Sequence, residues 1–404
     1  MTSGTRDTVL PVPPTDTRLV ERVRALGPLV REHALRTERE RRVTREVVEA
    51  LTGTGIQRMN VPRRYGGYQS SLRTQVDALA ELSAACGSAG FMTLIQAGCA
   101  YVAALFPDEA QDEIFTSPDV RVGGSLIPSA TAVPTGDGGY VVNGTSPFAT
   151  GCRDADWHLL TARIEGRPET VWTAMPVAEL EILDDWRVSG LAGSGSNSVV
   201  ARDVVVPAHR VLPVAPLLGG EFASKANADD PFYRVPVLLM FCVWATPNAL
   251  GLARSALAEF RERIHRRGIT YTFYERQNEA PVTHLQTAEA ALKISCAEHL
   301  TDEIVALLDA RAASGGPSAP STPYTTEERA GIRARSGYVA RLCLEAADLL
   351  GSASGASSLH EEVPIQRAVR DLRALNLHAF VHPATNLELY GRVLAGLEPG
   401  TPFL

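Results

Sequence analysis

What the 404-residue sequence lacks narrows its chemistry first. Its six cysteines (Cys86, Cys99, Cys152, Cys242, Cys296, Cys343) include no CxxC pair and no metal-ligand spacing. Scattered thiols with mostly apolar neighbours read as reduced, buried side chains, and no metal site is expected. Basic charge is in deficit: 39 Lys and Arg stand against 46 Asp and Glu, a net charge of -7. That balance argues against a nucleic-acid or anionic-membrane surface, which would need a basic patch. An apolar run of about 18 residues and a signal-peptide pattern are both missing, so the expected location is the cytoplasm. Also missing are G-x-G-x-x-G between a strand and a helix, a Walker A loop and an HExxH helix. Gly351 to Gly355 (GSASG) has Ala353 where a nucleophile elbow needs serine. The adjacent His360, Glu361 and Glu362 cannot put two metal ligands on one helix face.

What is present is a globular composition, 45% hydrophobic and 21% charged, in a chain long enough for two or three packed units. Residues 1–15, with Pro11, Pro13 and Pro14, predict a disordered arm. Over 16–118 the apolar residues recur at helical spacing: Leu19, Val23, Leu26 and Val30, then Val43, Val47 and Leu51 before Gly53 and Gly55. A loop with Pro and Gly stops (54–68) follows, then a small-residue helix through Val76, Leu79 and Ala80, and a buried helix over 91–105. Over 119–215 the pattern becomes short β-branched runs broken by Gly, Pro and Asp, with Gly138-Gly139 as a turn entering a strand. This predicts a compact antiparallel β-domain, a small barrel or sandwich. Residues 217–230 read as a linker. From 231 to 404 long periodic stretches near 236–266, 282–312, 326–350 and 361–381, with a flexible loop at 313–323, predict a four-helix bundle and one further helix. The fold class is therefore mainly α: an N-terminal helical domain, a central antiparallel β-domain and a C-terminal four-helix bundle.

One stretch organises the rest. In Gln366 to Arg392 a helix through Ala368, Leu372 and Leu375 is expected to stop near Phe380 to Val381, because Pro383 disfavours helical geometry at His382. His378 then falls on the last helical turn, beside a bend, where an imidazole can be aimed into a cavity. A lone histidine there is otherwise a half-buried structural residue with a satisfied hydrogen bond.

Four segments give that histidine company: GIQRMNVPRRYGG (55–67), GGYVVNGTSPFATGCRDADW (138–157), WRVSGLAGSGSNSVVARDVVVPAHRV (186–211) and PIQRAVRDLRA (364–374). In this order, and with the α–β–α arrangement, the chain from residue 16 onward resembles the acyl-CoA dehydrogenase superfamily. The resemblance implies a flavin between the β-domain and the bundle, usually in a homotetramer. It departs from the dehydrogenases themselves. Their catalytic glutamate comes from a turn that here reads HAFVHPATNLE, with Glu388 already in the last helix, or from a position on the first bundle helix that here is Phe241. Their T-E-P-x-x-G-S strand motif is replaced by GGSLIPSATAVP (123–134). Without a placed base the proton-transfer step is lost.

The sequence looks more like the flavin-dependent monooxygenase branch, the oxygenase components of two-component systems. That likeness implies reduced FMN or FAD delivered by a separate flavin reductase, molecular oxygen as cosubstrate, and hydroxylation or N-oxygenation of a small molecule through a flavin C4a-hydroperoxide. The alternatives are an acyl-thioester dehydrogenase with a displaced base, or a non-catalytic member of the fold. By the same likeness Phe148-Ala149-Thr150-Gly151 matches F-x-S-G, which puts the Thr150 hydroxyl near flavin N5. Arg370-Asp371-Leu372-Arg373 through His378 matches R-D/N-x-R-x-x-x-x-H, which makes His378 the second catalytic group. Phe148, Thr150, Gly151 and His378 are thus expected at the flavin ring, and Trp157 either at the β-domain edge near it or in the core. Arg267, in the cluster Arg261, Arg263, Arg266 and Arg267, is expected at a flavin phosphate, and Ser352 and Ser354 at a turn that meets a neighbouring subunit's cofactor. Gln96 lies in the region where some members carry an additional histidine, Arg370-Asp371 reads as a structural ion pair or helix anchor, and the Ser194 to Ser198 run as a tight β-turn region.

Overall fold

The computed structural model describes residues 15–314 and 323–404. The expected disordered arm, Thr15 apart, and most of the expected loop at 313–323 lie outside the described residues. Six helices come first: α1 (Thr17–Ala25), α2 (Gly27–Glu40), α3 (Arg45–Thr54), α4 (Leu72–Ala85), α5 (Gly87–Ala103) and α6 (Asp108–Ile114). Side chains start two of them, Asp16 accepting from the Arg18 amide and Ser71 from the Thr74 amide. Every residue of α5 except Ile95 is buried. Its small residues allow this: a Cβ at Gly98 would lie 3.1 Å from the Trp244 ring, so at that point the bare backbone of α5 meets the indole.

The middle of the chain forms β1 (Val122–Pro134), β2 (Tyr140–Ser146), β3 (Trp157–Ile164), β4 (Thr170–Pro176), β5 (Glu181–Ile182), β6 (Val199–Val206) and β7 (Val211–Pro213). They make one seven-stranded sheet in the order β5-β6-β2-β1-β3-β4-β7. The β1–β2 hairpin closes at the expected turn, where the Thr135 amide donates to the Gly139 carbonyl. The expectation of a purely antiparallel domain is corrected at the centre, because β1 and β3 pair in parallel. After β2 the chain crosses β1 through residues 147–156 and enters on its far side, instead of returning through a tight turn. The β1–β3 register also slips between Ser125 and Ala130, which frees residues 126–129 from the regular ladder.

The last part comprises α7 (Val214–Leu218), α8 (Val237–Arg263), α9 (Pro281–Ala313), α10 (Thr326–Ala353), α11 (Pro364–Leu375) and α12 (Pro383–Leu394). α8 is long and apolar enough to cross a membrane by length and composition, but 89% of its most apolar window is buried in the protein, as befits a core helix. A reciprocal capping box between Thr325 and Glu328 starts α10. The expected linker is tied down at Asp108, which accepts from the Ser224 hydroxyl and from the Lys225 and Ala226 amides. Five cysteines are buried as expected, whereas Cys296 on α9 is exposed.

α11 ends five residues earlier than its apolar spacing suggests, and the cause is Asn376. Its amide donates to the Leu372 carbonyl on its own helix and to the Ala340 carbonyl on α10. His378 therefore sits in the turn after the helix, not on its last turn, with its backbone amide donating to the Leu375 carbonyl.

Candidate functional site

The crossover after β2 builds one half of the site. Phe148 takes a left-handed backbone (φ 58°), which is strained for a bulky side chain and reverses the chain sharply. Its ring stays 59% exposed, edge-on to Trp186. The reversal lets the Ala149 amide donate to the Asn197 carbonyl and the Gly151 amide to the Ser194 carbonyl, both at 3.0 Å. Thr150 is buried, and its hydroxyl lies 2.8 Å from the Ser196 hydroxyl, which lies 2.7 Å from that of Ser194. Each of these three oxygens can donate or accept, so the chain can run in either direction. At Gly151 (φ 66°) an added Cβ would come 2.7 Å from Met92 and 3.1 Å from the Gln96 amide nitrogen, so glycine is what lets the turn rest on α5. Gln96 is buried, and neither end of its carboxamide has a hydrogen-bond partner.

The turn after α11 builds the other half. The Phe380 amide donates to His378 Nδ1 at 3.4 Å, which places the proton of the neutral ring on Nε2. Burial pulls the His378 pKa down to about 4, so the imidazole is uncharged at pH 7. It stands in an aromatic wall, with Phe91 edge-on at 6.1 Å and Phe380 at 5.8 Å. Phe380 in turn meets Phe241 at 5.4 Å, and Phe241 meets Trp244 at 5.6 Å. Phe241 and the 378–383 turn are the two places where the resemblance would put a dehydrogenase base. Here both present aromatic rings, and Glu388 is exposed on α12. Neither of the two usual positions of a dehydrogenase base thus holds a carboxylate.

α5 joins the halves. Phe91 contacts His378, and the next residue, Met92, lies against the Thr150-Gly151 turn, about 100° further round the helix. Of the other expected residues, Trp157 opens β3 and is covered by the Arg210 guanidinium at 5.0 Å, which gives its ring a partner in the β-domain. Ser354 is buried with its hydroxyl donating to the Leu350 carbonyl of its own helix. Ser352 is exposed on the last turn of α10. Arg267 donates to the Ser354 carbonyl and the Ser357 hydroxyl, and burial together with the like charge of Arg263 lowers its pKa. With Arg263, Arg266 and Ser357 it lines a cavity of about 520 Å³ at the ends of α8 and α10, shared with Glu259 and Glu262.

The first locale fits a flavin ring. A buried carboxamide without partners, a chain of hydroxyls, a glycine that permits close approach and a wall of aromatic faces all suit a flat heterocycle with donors and acceptors at its rim. Ser194, Ser196 and Phe91 were not readable as parts of it. The serine run looks like a turn, and Phe91 like any other core residue of a buried helix.

Comparison with known proteins agrees with this geometry. Residues 16–118 match the family model for the acyl-CoA dehydrogenase N-terminal domain, and residues 243–383 match that for the acyl-CoA dehydrogenase C-terminal domain. The oxygenase component of an FADH2-dependent resorcinol hydroxylase from Rhizobium sp. (strain MTP-10005) is 32% identical over 391 residues, 95% of each chain. The crystal structure of 3-HSA hydroxylase from Rhodococcus sp. RHA1 superposes with a TM-score of 0.89 at 30% identity, covering 96% of this chain and 99% of that one. XiaF from Streptomyces sp., in complex with FADH2 and glycerol, gives a TM-score of 0.89 at 30% identity over 96% of this chain and 97% of that one.

Proposed function

The chain belongs to the acyl-CoA dehydrogenase family, in its branch of flavin-dependent monooxygenase oxygenase components, and on that premise we propose that it hydroxylates an aromatic ring bearing a hydroxyl group, held between α5 and the aromatic wall around His378. The enzyme acts with reduced flavin, supplied by a separate flavin reductase, and with oxygen. When bound, the reduced flavin supplies the activation of oxygen. The chain's own residues do the rest. The Thr150 hydroxyl, able to exchange donor and acceptor roles with Ser196, holds a polar group at the ring edge. His378 keeps a proton on Nε2 and can donate a hydrogen bond without bringing net charge into an apolar wall. Gln96 offers both an N–H and a carbonyl to the flavin rim or to the substrate hydroxyl. Phe91, Phe241 and Phe380 exclude water, which would otherwise divert the activated oxygen.

The observation that carries this reading is His378, its Nδ1 accepting from the Phe380 amide, set in an aromatic wall of Phe91, Phe241 and Phe380 one helix away from the Thr150 hydroxyl. The relative named a resorcinol hydroxylase makes resorcinol the first substrate to try. Reduced flavin from a reductase, with a panel of phenols and aromatic amines, should give hydroxylated product in proportion to flavin oxidised. An unchanged product yield from His378→Ala would overturn the reading.

The second locale completes it. Arg263 and Arg267, across the 520 Å³ cavity, would take the phosphate-bearing tail of a flavin, from this subunit or a neighbouring copy in a homotetramer. A cytoplasmic location follows from the need for a reductase that keeps flavin reduced.

A further inference from the structure

Among the described residues, Asp371 is the only carboxylate that is fully buried, at 3% exposure. A charge in such a place is costly unless something holds it, and the expected ion pair with Arg370 is not what does. Arg370 reaches Glu38 on α2 at 2.5 Å instead, Arg367 lies 3.7 Å from the same glutamate, and Arg373, the third arginine of α11, pairs with Asp348 on α10 at 2.9 Å. Asp371 Oδ1 accepts from the Leu191 amide at 2.6 Å, across the boundary between sheet and bundle. Its Oδ2 abuts the first residue of α5, where a Cβ on Gly87 would lie 2.8 Å away, at the positive end of that helix.

The corner it grips is held twice. Arg370 donates to the Ser189 carbonyl at 2.6 Å, and a Cβ on Gly190 would collide with the Arg370 carbonyl, so this corner lies directly against α11. Leu191 then adopts a left-handed backbone (φ 51°), a conformation that a branched side chain does not hold without outside support. From it the chain runs through a short turn to Ser194, whose carbonyl accepts the Gly151 amide, and to Ser196, whose hydroxyl meets that of Thr150. Seven residues after Asp371 on the same chain comes His378.

We propose that Asp371 is a positioning residue, which sets the Thr150 turn in register with His378 and α5 by holding the 189–191 corner onto α11. This rests on the reading that Thr150 and His378 border the flavin. The active part of Asp371 is an acceptor oxygen in a fixed place, so asparagine should replace it and leucine should not.

The test begins with flavin-free protein. In Asp371→Leu, hydrogen–deuterium exchange in peptides spanning 148–151 and 189–195 should rise about tenfold, with α9 unchanged; in Asp371→Asn all three should stay near wild type. With flavin and substrate, product per flavin oxidised should fall in Asp371→Leu and be restored in Asp371→Asn. Unchanged exchange at 148–151 in Asp371→Leu overturns the proposal. So does an increase spread evenly through α9, or an Asp371→Asn protein that exchanges as fast as the leucine variant. Should Asp371→Leu fail to fold, Gly190→Ala pushes the same corner off α11 without touching Asp371 and should give the same local pattern; its absence is equally fatal. If the exchange pattern holds but Thr150→Val and Asp371→Leu both keep full product yield, the grip stands and the assignment of Thr150 falls.

Discussion

At the scale of single residues, the site depends on groups kept uncharged or unpaired in places that make them useful. His378 has lost nearly all tendency to take up a proton because a cation in its aromatic surroundings would be poorly solvated. Its substitution by alanine is expected to lower product per flavin oxidised by roughly 10²-fold, a typical worth for a placed proton donor, while oxygen consumption continues. The same burial makes stability pH-dependent. The folded-state pKa of His378 lies below its unfolded value, so its contribution is complete above about pH 6.5 and is lost as pH falls towards 4. Asp371 works in the opposite sense. Burial raises its pKa to about 6, so its neutral form favours the fold at low pH, and that contribution disappears as pH rises through 6. Each shift corresponds to about 3 kcal/mol. Thermal unfolding of Asp371→Asn at pH 8 should therefore show a Tm at or above that of wild type, with the difference shrinking as pH falls from 6 to 4. His378→Asn should gain on wild type over pH 6.5 to 4. Thr150 and His378 could be singled out as candidates because each sits in a compact local pattern. Asp371 was legible only as a charge beside another charge, since its partner amide lies 180 positions away in sequence.

Elements tell a similar story of local and distant causes. The helices could be read from apolar spacing and end signals, and the Thr325–Glu328 box that starts α10 is a local feature of this kind. Thr325→Ala should cost about 1 kcal/mol of stability in denaturant titration and leave activity unchanged. The parallel β1–β3 pair was not legible, because the strands carry the same β-branched pattern whichever way they run, and only the crossover at 147–156 sets their direction. The early end of α11 was hidden for a related reason: the Asn376 amide stops the helix partly by bonding Ala340 on another one. That crossover depends on one glycine. Gly151→Ala must force a positive φ on alanine and press its Cβ towards Met92, so a loss of about 1–2 kcal/mol, with weakened flavin binding by fluorescence titration, is expected.

For the molecule as a whole, the α–β–α order came through from the sequence, while the relation between the two candidate locales did not. Arg267 and Ser357 lie at one end of the bundle, and next to them the loop between α8 and α9 carries Tyr271 and Phe273, both wholly exposed. Rings that large in full contact with water suit a surface that another copy covers. Light scattering should give four times 43.3 kDa for the wild type, and the pair Tyr271→Glu and Phe273→Glu should lower that mass and weaken flavin binding together.

α5 has a bearing on how such an enzyme can change. Gly87 faces Asp371, Phe91 faces His378, Met92 and Gln96 face Gly151, and Gly98 faces Trp244. A helix that is at once scaffold and inner lining leaves little room for trial and error, since a new side chain meant for the substrate also disturbs the interior. Evolution or engineering towards another substrate should find its freedom opposite, at Phe241 and Phe380, where rings already keep part of their surface free.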